Sequence, residues 1–235
     1  MNPDLRALYT ELLRAHGPQG WWWPGEAPFE IAVGAILVQR SRWEQADVAV
    51  TALRARGLLE AAALAATPEE EVRELVRAAG FPSQKPRRLR ALAAWWADRA
   101  PQVPGLTDAE LRSELRGVDG VGEETADAIS LYCFGRPAFL CDEYARRALA
   151  EHGHAVPRSY TAFARWIAPS LEEAAFTVAE LAELHGLIVE EGKAAALARS
   201  RGARSGPAPS AAAPPGLTPS SRAPRAAAAR PPAAR

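Results

Sequence analysis

The apolar side chains of the first 200 residues recur every three or four positions, a spacing typical of amphipathic α-helices. Residues 31–38 differ, because they form an unbroken apolar stretch that fits either a buried helix or a buried strand. No other segment alternates apolar and polar residues or carries a convincing hairpin turn, so the pattern predicts an all-α fold. The first helix is predicted by the set Leu5, Leu8, Tyr9, Leu12 and Leu13.

Helix-start signals divide the chain further. Residues 67–70 (Thr-Pro-Glu-Glu) have the pattern of a capping box with proline at the first helical position, which predicts a helix that ends before Gly80. Thr107 and Glu110 repeat the pattern before the next apolar positions. Two more segments are predicted to be helical, residues 87–99 and residues 171–191.

The last part of the chain has a different composition. Residues 201–235 contain twelve Ala, eight Pro, six Arg and a single large apolar residue, Leu217. Such a segment buries too little apolar surface to offset the entropy of ordering, so a disordered basic tail is predicted. It either attracts phosphate loosely or is an extension without a role in binding.

The formal net charge of 0 hides an asymmetry. Residues 1–200 carry 22 basic and 28 acidic side chains, a balance of −6, and the tail supplies the compensating arginines. Proteins that bind nucleic acid usually have a basic excess, so any such site on this chain must be local. The longest apolar run is far shorter than the roughly 18 residues of a membrane span, and no secretory signal precedes it. These features favour a cytoplasmic protein without a membrane partner.

Cysteine usage excludes several kinds of site. Cys133 and Cys141 are the only two in the sequence, too few for a disulfide framework, a four-thiolate zinc site or a 4Fe–4S cluster held by four cysteines. We therefore expect small core cysteines and no metal held by side chains.

The segment 115–129 contains the most specific motif. In Gly120-Val121-Gly122, two glycines flank one apolar residue, which allows a tight turn between two helices. The amides at the start of the second helix then point outward, where they can bind a phosphate oxygen. The motif predicts a hairpin that grips a nucleic-acid backbone; a plain corner between two helices is the alternative.

An apolar segment and an aspartate, Asp142, follow the hairpin within residues 137–147. With the hairpin, this arrangement resembles the helix–hairpin–helix DNA glycosylases, the superfamily of endonuclease III. The resemblance implies that a damaged nucleotide is flipped from the duplex and that Asp142 promotes breakage of the bond between base and deoxyribose. A carboxylate suits this reaction, because it stabilises an oxocarbenium-like state and can orient or deprotonate water. Alone, Asp142 could equally be a helix N-cap.

The hairpin lacks a lysine nucleophile. Relatives that also cut the strand carry a lysine whose amine forms a Schiff base, and Glu124 stands at that position here. A carboxylate cannot form the imine, so the resemblance implies a monofunctional glycosylase without β-lyase activity. Lys85 and Lys193 are the only lysines, and Lys85 is expected to be structural or to face phosphate.

The N-terminal half contains the run Trp21-Trp22-Trp23-Pro24, an apolar segment that ends at Gln39, and Trp43. This pattern is similar to 3-methyladenine DNA glycosylase III, a relative of endonuclease III without a cluster. The resemblance implies a stacking slot for a flipped base, with Trp22, Trp23 and Pro24 on one side and Trp43 on the other. A cationic alkylated purine gains about 0.5–2 kcal/mol from such aromatic faces and leaves without a general acid. Core tryptophans are the alternative interpretation.

The same resemblance extends to DNA contacts and to the last helix. Gln39 corresponds to a glutamine that fills the gap left by the flipped nucleotide, although Arg40-Ser41 after it departs from the family's pattern. Lys193 could lie near the pocket, whereas His185 on an apolar helix face is more often a core histidine. The family expectation also includes a monovalent cation held by backbone carbonyls of the hairpin. The predicted DNA-binding residues are Gln39, Gly120, Val121, Gly122 and Thr125.

These features combine into a fold prediction. We expect a six-helix domain at 27–137 with the hairpin, a second helical domain formed by 1–26 and 138–200, and a cleft between them. The expected function is a monomeric, monofunctional glycosylase acting on alkylated purines in double-stranded DNA. Removal of mismatched thymine or uracil, removal of oxidised pyrimidines, and DNA binding without catalysis are the alternatives.

Overall fold

The protein is represented by a computed structural model that describes residues 2–20, 23–25 and 27–204. Within these residues the fold is all-α, as predicted, with eleven α-helices, two short 3-10 helices and no strand. The helices are α1 Leu5–His16, α2 Pro28–Leu37, α3 Trp43–Ala55, α4 Ala61–Ala66, α5 Glu69–Val76, α6 Lys85–Arg99, α7 Asp108–Arg116, α8 Glu123–Phe134, α9 Glu143–Glu151, α10 Tyr160–Ala174 and α11 Val178–Arg204. The 3-10 helices are Arg77–Ala79 and Ala100–Gly105.

The first apolar core is built by helices α2 to α8. Residues 31–38, which fitted helix or strand, form most of α2, and nearly every residue of this helix is buried. A helix that is apolar on all faces is one surrounded by other helices, which explains why its sequence shows no amphipathic period. In the described part of the chain, 27–137 holds seven α-helices, one more than expected, because the six-residue α4 had no clear signal.

A second apolar core joins α1 to α9, α10 and α11, with Leu8, Phe163 and Leu184 among its buried members. A third, smaller cluster lies where the two cores meet and includes Ile31, Tyr132 and Leu140. The N-terminal helix and the helices after residue 142 therefore contribute to the same core. The exact domain boundaries remain a prediction.

Three local predictions need correction. Thr67 does not cap α5; its hydroxyl donates back to the Ala63 carbonyl at 2.8 Å, and Pro68 is the N-cap. The segment 171–191 is two helices rather than one, because Ala175 adopts a left-handed conformation with φ +47°. The last helix runs to Arg204, four residues into the predicted tail, and 205–235 lie outside the described residues.

Other local signals are confirmed. Thr107 accepts a hydrogen bond from the Glu110 amide, and the Glu110 carboxylate accepts one from the Thr107 amide, so the capping box of α7 is complete. None of the described helices is both long and apolar enough to cross a membrane.

Candidate active site

The predicted hairpin lies between α7 and α8. Gly120 has φ +85°, a conformation that favours glycine, and a Cβ atom there would lie 2.3 Å from Cδ of Arg88. Gly122 is the N-cap of α8 and makes no side-chain cap. The first amides of a helix have no acceptor within the helix, so the start of α8 presents N–H groups where an anion can bind.

Gln39 braces this hairpin from the loop after α2. Its Nε2 donates to the Gly120 carbonyl at 2.9 Å and to the Thr125 hydroxyl at 3.0 Å. Its Oε1 accepts from Arg88 at 3.1 Å. The amide is therefore engaged with the turn, and filling the gap left by a flipped nucleotide requires these bonds to open.

Asp142 combines the two roles that the sequence left open. It is the N-cap of α9, where its Oδ1 accepts from the Ala145 amide at 2.7 Å. Its side chain is only 10% exposed, and Oδ2 faces Nε2 of His185 at 3.6 Å. The helix cap thus holds one carboxylate oxygen while the other is directed toward α11.

His185 is the clearest residue that sequence reasoning missed. The ring lies on α11, and its Nδ1 is 2.6 Å from the hydroxyl of Tyr132 on α8. We expected a core histidine, and the side chain is indeed buried, but it contacts the candidate catalytic carboxylate. A histidine on an apolar helix face gives no sequence signal that separates these two cases.

A second network holds the segment just before Asp142. The Tyr160 hydroxyl accepts from the Cys141 amide at 3.3 Å and donates to Asp127 Oδ2 at 2.8 Å. Asp127 is buried on α8 and is paired with Arg112, whose Nε lies 2.6 Å from Oδ1. The hairpin helices are therefore tied to the backbone that presents the carboxylate.

Glu124, which the resemblance places at the position of the lyase lysine, lies in the first turn of α8. Desolvation raises the pKa of this carboxyl, the negative charge of Asp142 raises it further, and His185 lowers it. The charge of Asp142 therefore acts on Glu124, and a carboxyl group whose pKa is raised can serve as a general acid.

The expected aromatic slot is only partly described, because Trp22 lies outside the described residues. Trp23 is buried, and its ring meets Trp43 edge to face with centroids 6.4 Å apart. Its other neighbour is Tyr132, at 5.0 Å. Trp23 and Trp43 do not enclose a parallel slot between them; Pro24 and Trp43 are half-buried, so these two offer the accessible surface.

Gly34 on α2 faces both indoles. A Cβ atom on Gly34 would lie 3.7 Å from Trp43 Cη2 and 3.8 Å from Trp23 Nε1. These are ordinary contact distances, so an alanine at this position would fit against the two rings.

Both lysines are engaged with acceptors in this arrangement. Lys85 is 1% exposed, and its ammonium donates to the carbonyls of Leu37 and Ala79 and to the hydroxyl of Ser41. Burial, assisted by Arg88, lowers the pKa of Lys85 to about 8. Lys193 is exposed and pairs with Glu190 at 2.6 Å. Lys85 is therefore structural, one of the two roles expected.

Cys141 is buried, and Cys133 is partly buried. Both thiols are free, and burial raises the pKa of Cys141 to about 12. No group of three or more His, Cys, Asp and Glu side chains that could hold a metal is found among the described residues.

Two loops beside the hairpin carry strained residues. Arg40 and Phe81 have φ +54° and +53°, unusual for side chains other than glycine. Phe81 is 38% exposed, and the Arg40 guanidinium lies 5.6 Å from its ring centroid. Arg40 and Phe81 therefore contact each other on the surface beside the hairpin. The sequence reasoning did not single out Phe81.

A helical hairpin with a glycine turn, followed by a largely buried carboxylate at the start of the next helix, is the arrangement expected of a base excision DNA repair protein. The HhH-GPD superfamily of base excision DNA repair proteins matches residues 33–165, more than half of the chain. The chain therefore belongs to this superfamily and is a DNA repair glycosylase of that kind.

Two relatives share this part of the sequence. A protein of Methanocaldococcus jannaschii named as a DNA repair glycosylase is 36% identical over 151 residues, which are 62% of this chain and 68% of that protein. The thymine-DNA glycosylase of Aeropyrum pernix is 31% identical over 150 residues, 62% of this chain and 63% of that protein.

Solved structures extend the similarity to most of the fold. The Helicobacter pylori 3-methyladenine DNA glycosylase bound to 1,N6-ethenoadenine has a TM-score of 0.69 and 26% identity, covering 81% of this chain and 96% of that one. Endonuclease III in a covalent intermediate with DNA has a TM-score of 0.64 and 20% identity, covering 80% of this chain and 85% of that one. The second similarity concerns the fold alone.

Proposed function

We propose that this chain is a monofunctional DNA glycosylase that flips a damaged base from double-stranded DNA and hydrolyses its N-glycosylic bond. The observation that carries the proposal is the position of the Asp142 carboxylate. One of its oxygens accepts a hydrogen bond from the Ala145 amide in the first turn of α9, and the other faces buried His185. As the bond breaks, positive charge develops on the sugar, and a fixed carboxylate stabilises it while orienting water.

Water is the proposed nucleophile because the chain provides no suitable amine. Glu124 occupies the position where lyases carry lysine, and a carboxylate cannot form an imine. The amine of Lys85 is fully engaged with three acceptors in the core. Base release without β-elimination is the expected outcome.

We propose alkylated purines such as 3-methyladenine as substrates. A protein similar over most of this fold is named as a 3-methyladenine glycosylase. Trp43, half-buried beside Trp23, supplies an aromatic face, and a cationic base gains about 0.5–2 kcal/mol from such contact. An alkylated base is also a good leaving group, so stacking and one carboxylate suffice.

The proposed DNA surface consists of the hairpin and the two strained loops beside it. The amides of Gly122 and Thr125 at the start of α8 would bind phosphate, whereas the Val121 amide already donates to the Val118 carbonyl. Gln39 and Phe81 would enter the duplex where the base leaves. A monovalent cation at the hairpin is compatible with its carbonyls. Those of Val118 and Gly120 each accept one hydrogen bond, which leaves a second lone pair.

Base release from methylated duplex DNA tests the proposal. Purified full-length protein should free 3-methyladenine, and strand breaks should appear only after alkali treatment. The Asp142→Asn variant, which keeps an N-cap oxygen, should release base at least about a hundred-fold more slowly at unchanged DNA affinity. Equal release by variant and wild type would refute the catalytic role of Asp142.

A second candidate is removal of thymine or uracil from mismatches. It is favoured by the 31% identity to the thymine-DNA glycosylase and by Glu124, a carboxyl with raised pKa that could assist a neutral leaving base. Duplexes with mismatched and oxidised pyrimidines belong in the same assay. Release of thymine without methylated bases would replace the alkylpurine proposal, and no release from any duplex would favour a DNA-binding protein without catalysis.

A further inference from the structure

A line of three buried polar side chains crosses the site from α8 through α11 to the start of α9. The Tyr132 hydroxyl lies 2.6 Å from Nδ1 of His185, and Nε2 of the same ring lies 3.6 Å from Oδ2 of Asp142. Tyr132 is 5% exposed and the His185 side chain 7%. The histidine thus joins a phenol to the candidate catalytic carboxylate inside the protein.

The chemistry of the two end groups decides where the imidazole proton lies. An ionised carboxylate only accepts hydrogen bonds, so Nε2 must carry the proton for the contact to be attractive. A neutral imidazole then has its lone pair on Nδ1, which accepts from the Tyr132 phenol. Burial, with Asp142 and Glu183 nearby, raises the pKa of Tyr132, so the phenol keeps the proton it donates.

We propose that His185 is a positioning residue for Asp142 and that Tyr132 fixes its Nε2–H tautomer. This inference rests on the proposed glycosylase function. No proton is transferred in this role. The Ala145 amide holds one carboxylate oxygen, and the His185 N–H directs the other, so that the carboxylate has one orientation when the base is lost.

The distance of 3.6 Å is longer than a hydrogen bond, so the contact must close for the role to operate. Hydrogen bonds at catalytic groups often tighten only when substrate is bound. A small rotation of either side chain brings the two atoms within reach. His185 is therefore expected to act in the DNA complex more strongly than in the free protein.

Carboxyl groups face this site from several elements: Glu124 from α8, Asp142 from the start of α9, and Glu183, which acts on Tyr132, from α11 itself. Their negative charge favours a protonated ring, whereas a Tyr132 phenol that donates to Nδ1 favours the neutral form. A doubly protonated ring is the alternative state, which would leave the phenol as acceptor rather than donor.

Tyr132 also links the carboxylate to the base pocket. Its ring packs against Trp23 with centroids 5.0 Å apart, while its hydroxyl faces His185. A displacement of Trp23 by a bound base would move the ring that fixes the imidazole. Pocket occupation and carboxylate orientation are thus coupled through one residue.

The first test measures the tautomer without any activity. Nitrogen-15 NMR of the full chain, which has four histidines, distinguishes N–H from bare ring nitrogens, and His185→Gln identifies the signal. We expect a neutral ring with the proton on Nε2 in the wild type, and a population with the proton on Nδ1 in Tyr132→Phe. A ring protonated on Nδ1 alone, or on both nitrogens near neutral pH, would overturn the assignment.

The second test is kinetic. In single-turnover base release, His185→Phe should be about ten-fold slower, the value of one hydrogen bond to a charged group. The acidic limb of its pH profile should move to higher pH, because the ionised carboxylate has lost a donor, while DNA affinity stays within about two-fold. His185→Gln, whose amide can donate to Asp142 and accept from Tyr132, should recover part of the rate.

Matched variants separate positioning from folding. His152→Gln alters an exposed histidine at the C-cap of α9 that contacts Glu11, and it should leave rate and pH profile unchanged. If His185→Phe fails to fold, Tyr132→Phe, which keeps the ring against Trp23, carries the test. An unchanged rate and acidic limb in Tyr132→Phe and in a folded His185→Phe would overturn the inference, whereas a wild type that releases no base would overturn the proposed function.

Discussion

The hydroxyl of Tyr160 lies 2.8 Å from Oδ2 of Asp127 and also accepts from the Cys141 amide, so one phenol connects the hairpin helix to the backbone beside Asp142. Because the hydroxyl both donates and accepts, it satisfies a buried carboxylate and a buried amide together. The distance between hairpin and carboxylate therefore depends on a side chain from α10.

Removing that hydroxyl should weaken both stability and catalysis. We expect Tyr160→Phe to lower the free energy of unfolding by about 1–3 kcal/mol, because a buried carboxylate and amide lose a partner. Urea denaturation measures this loss. Base release should slow while DNA affinity is kept. Tyr144→Phe is the matched control, since no hydrogen bond to the Tyr144 hydroxyl is found within the described residues, and an equal loss in both variants would contradict the prediction.

Buried Lys85 should make a large contribution to stability. Lys85→Met leaves the carbonyls of Leu37 and Ala79 and the Ser41 hydroxyl without their donor, and we expect unfolding to be easier by about 2–4 kcal/mol at pH 7. Denaturation of both proteins with urea measures the difference.

The same residue predicts a pH dependence. The pKa of Lys85 is lowered to about 8 in the folded state from its ordinary 10.5, so the unfolded chain binds more protons between these values. Stability from this group therefore rises as the pH increases from 8 to 10 and is lost as the pH falls through 8. The difference between wild type and Lys85→Met should grow over that range, and a constant difference would mean that Lys85 titrates normally.

Gly120 should be required for the shape of the hairpin. An alanine there must adopt φ +85° and place its Cβ within 2.4 Å of Cγ and Cδ of Arg88, so the turn or Arg88 has to move. Gly120→Ala should reduce affinity for duplex DNA containing an uncleavable abasic site, measured by fluorescence anisotropy. Gly105→Ala is the control, because nothing lies within 4 Å of its Cβ position and its φ is ordinary. Equal binding by both variants would exclude the hairpin from the DNA surface.

The sequence predicted those parts of the site whose residues are close together in the chain. The hairpin glycines, Glu124 and Asp142 belong to short motifs whose spacing fixes their geometry, and the structure brings them together as helix starts. The role of His185 could not be predicted, because its contact with Asp142 depends on the packing of α11 against α8 and α9. Tyr160 was missed for the same reason.

The fold shows a similar division. The capping box at Thr107 was predicted and is confirmed, since both partners lie within one turn. Thr67 has the same local pattern, yet its hydroxyl bonds to the preceding helix, α4, which the sequence did not reveal. The break at Ala175 was overlooked, although Thr177 and Glu180 form a capping box that starts α11. Where a sequence pattern allows more than one local hydrogen-bonding arrangement, the packing of the helices decides which one forms.

Glu124 provides the last prediction, because it distinguishes the two proposed substrate classes. An alkylated purine carries its own positive charge and needs no proton, whereas a neutral base leaves more easily when an acid assists it. Glu124→Gln removes that acid and keeps the size of the side chain. We expect unchanged release of 3-methyladenine and slower release of neutral 1,N6-ethenoadenine or mismatched thymine.

The stability of the same variant checks the electrostatics independently. The pKa of Glu124 is raised by desolvation and by Asp142, so its contribution to stability is present at low pH and is lost as the pH rises through the folded-state pKa. Glu124→Gln should therefore be more stable than wild type at pH 7 and equal to it at pH 4, as measured by urea denaturation. The pKa of Glu110, in the capping box of α7, is lowered, so its carboxylate stabilises the folded state at pH 7. Glu110→Gln should therefore be less stable than wild type at pH 7. If the difference in stability between Glu124→Gln and wild type is the same at pH 7 and at pH 4, Glu124 and Asp142 are not coupled, and an acid role for Glu124 loses its basis.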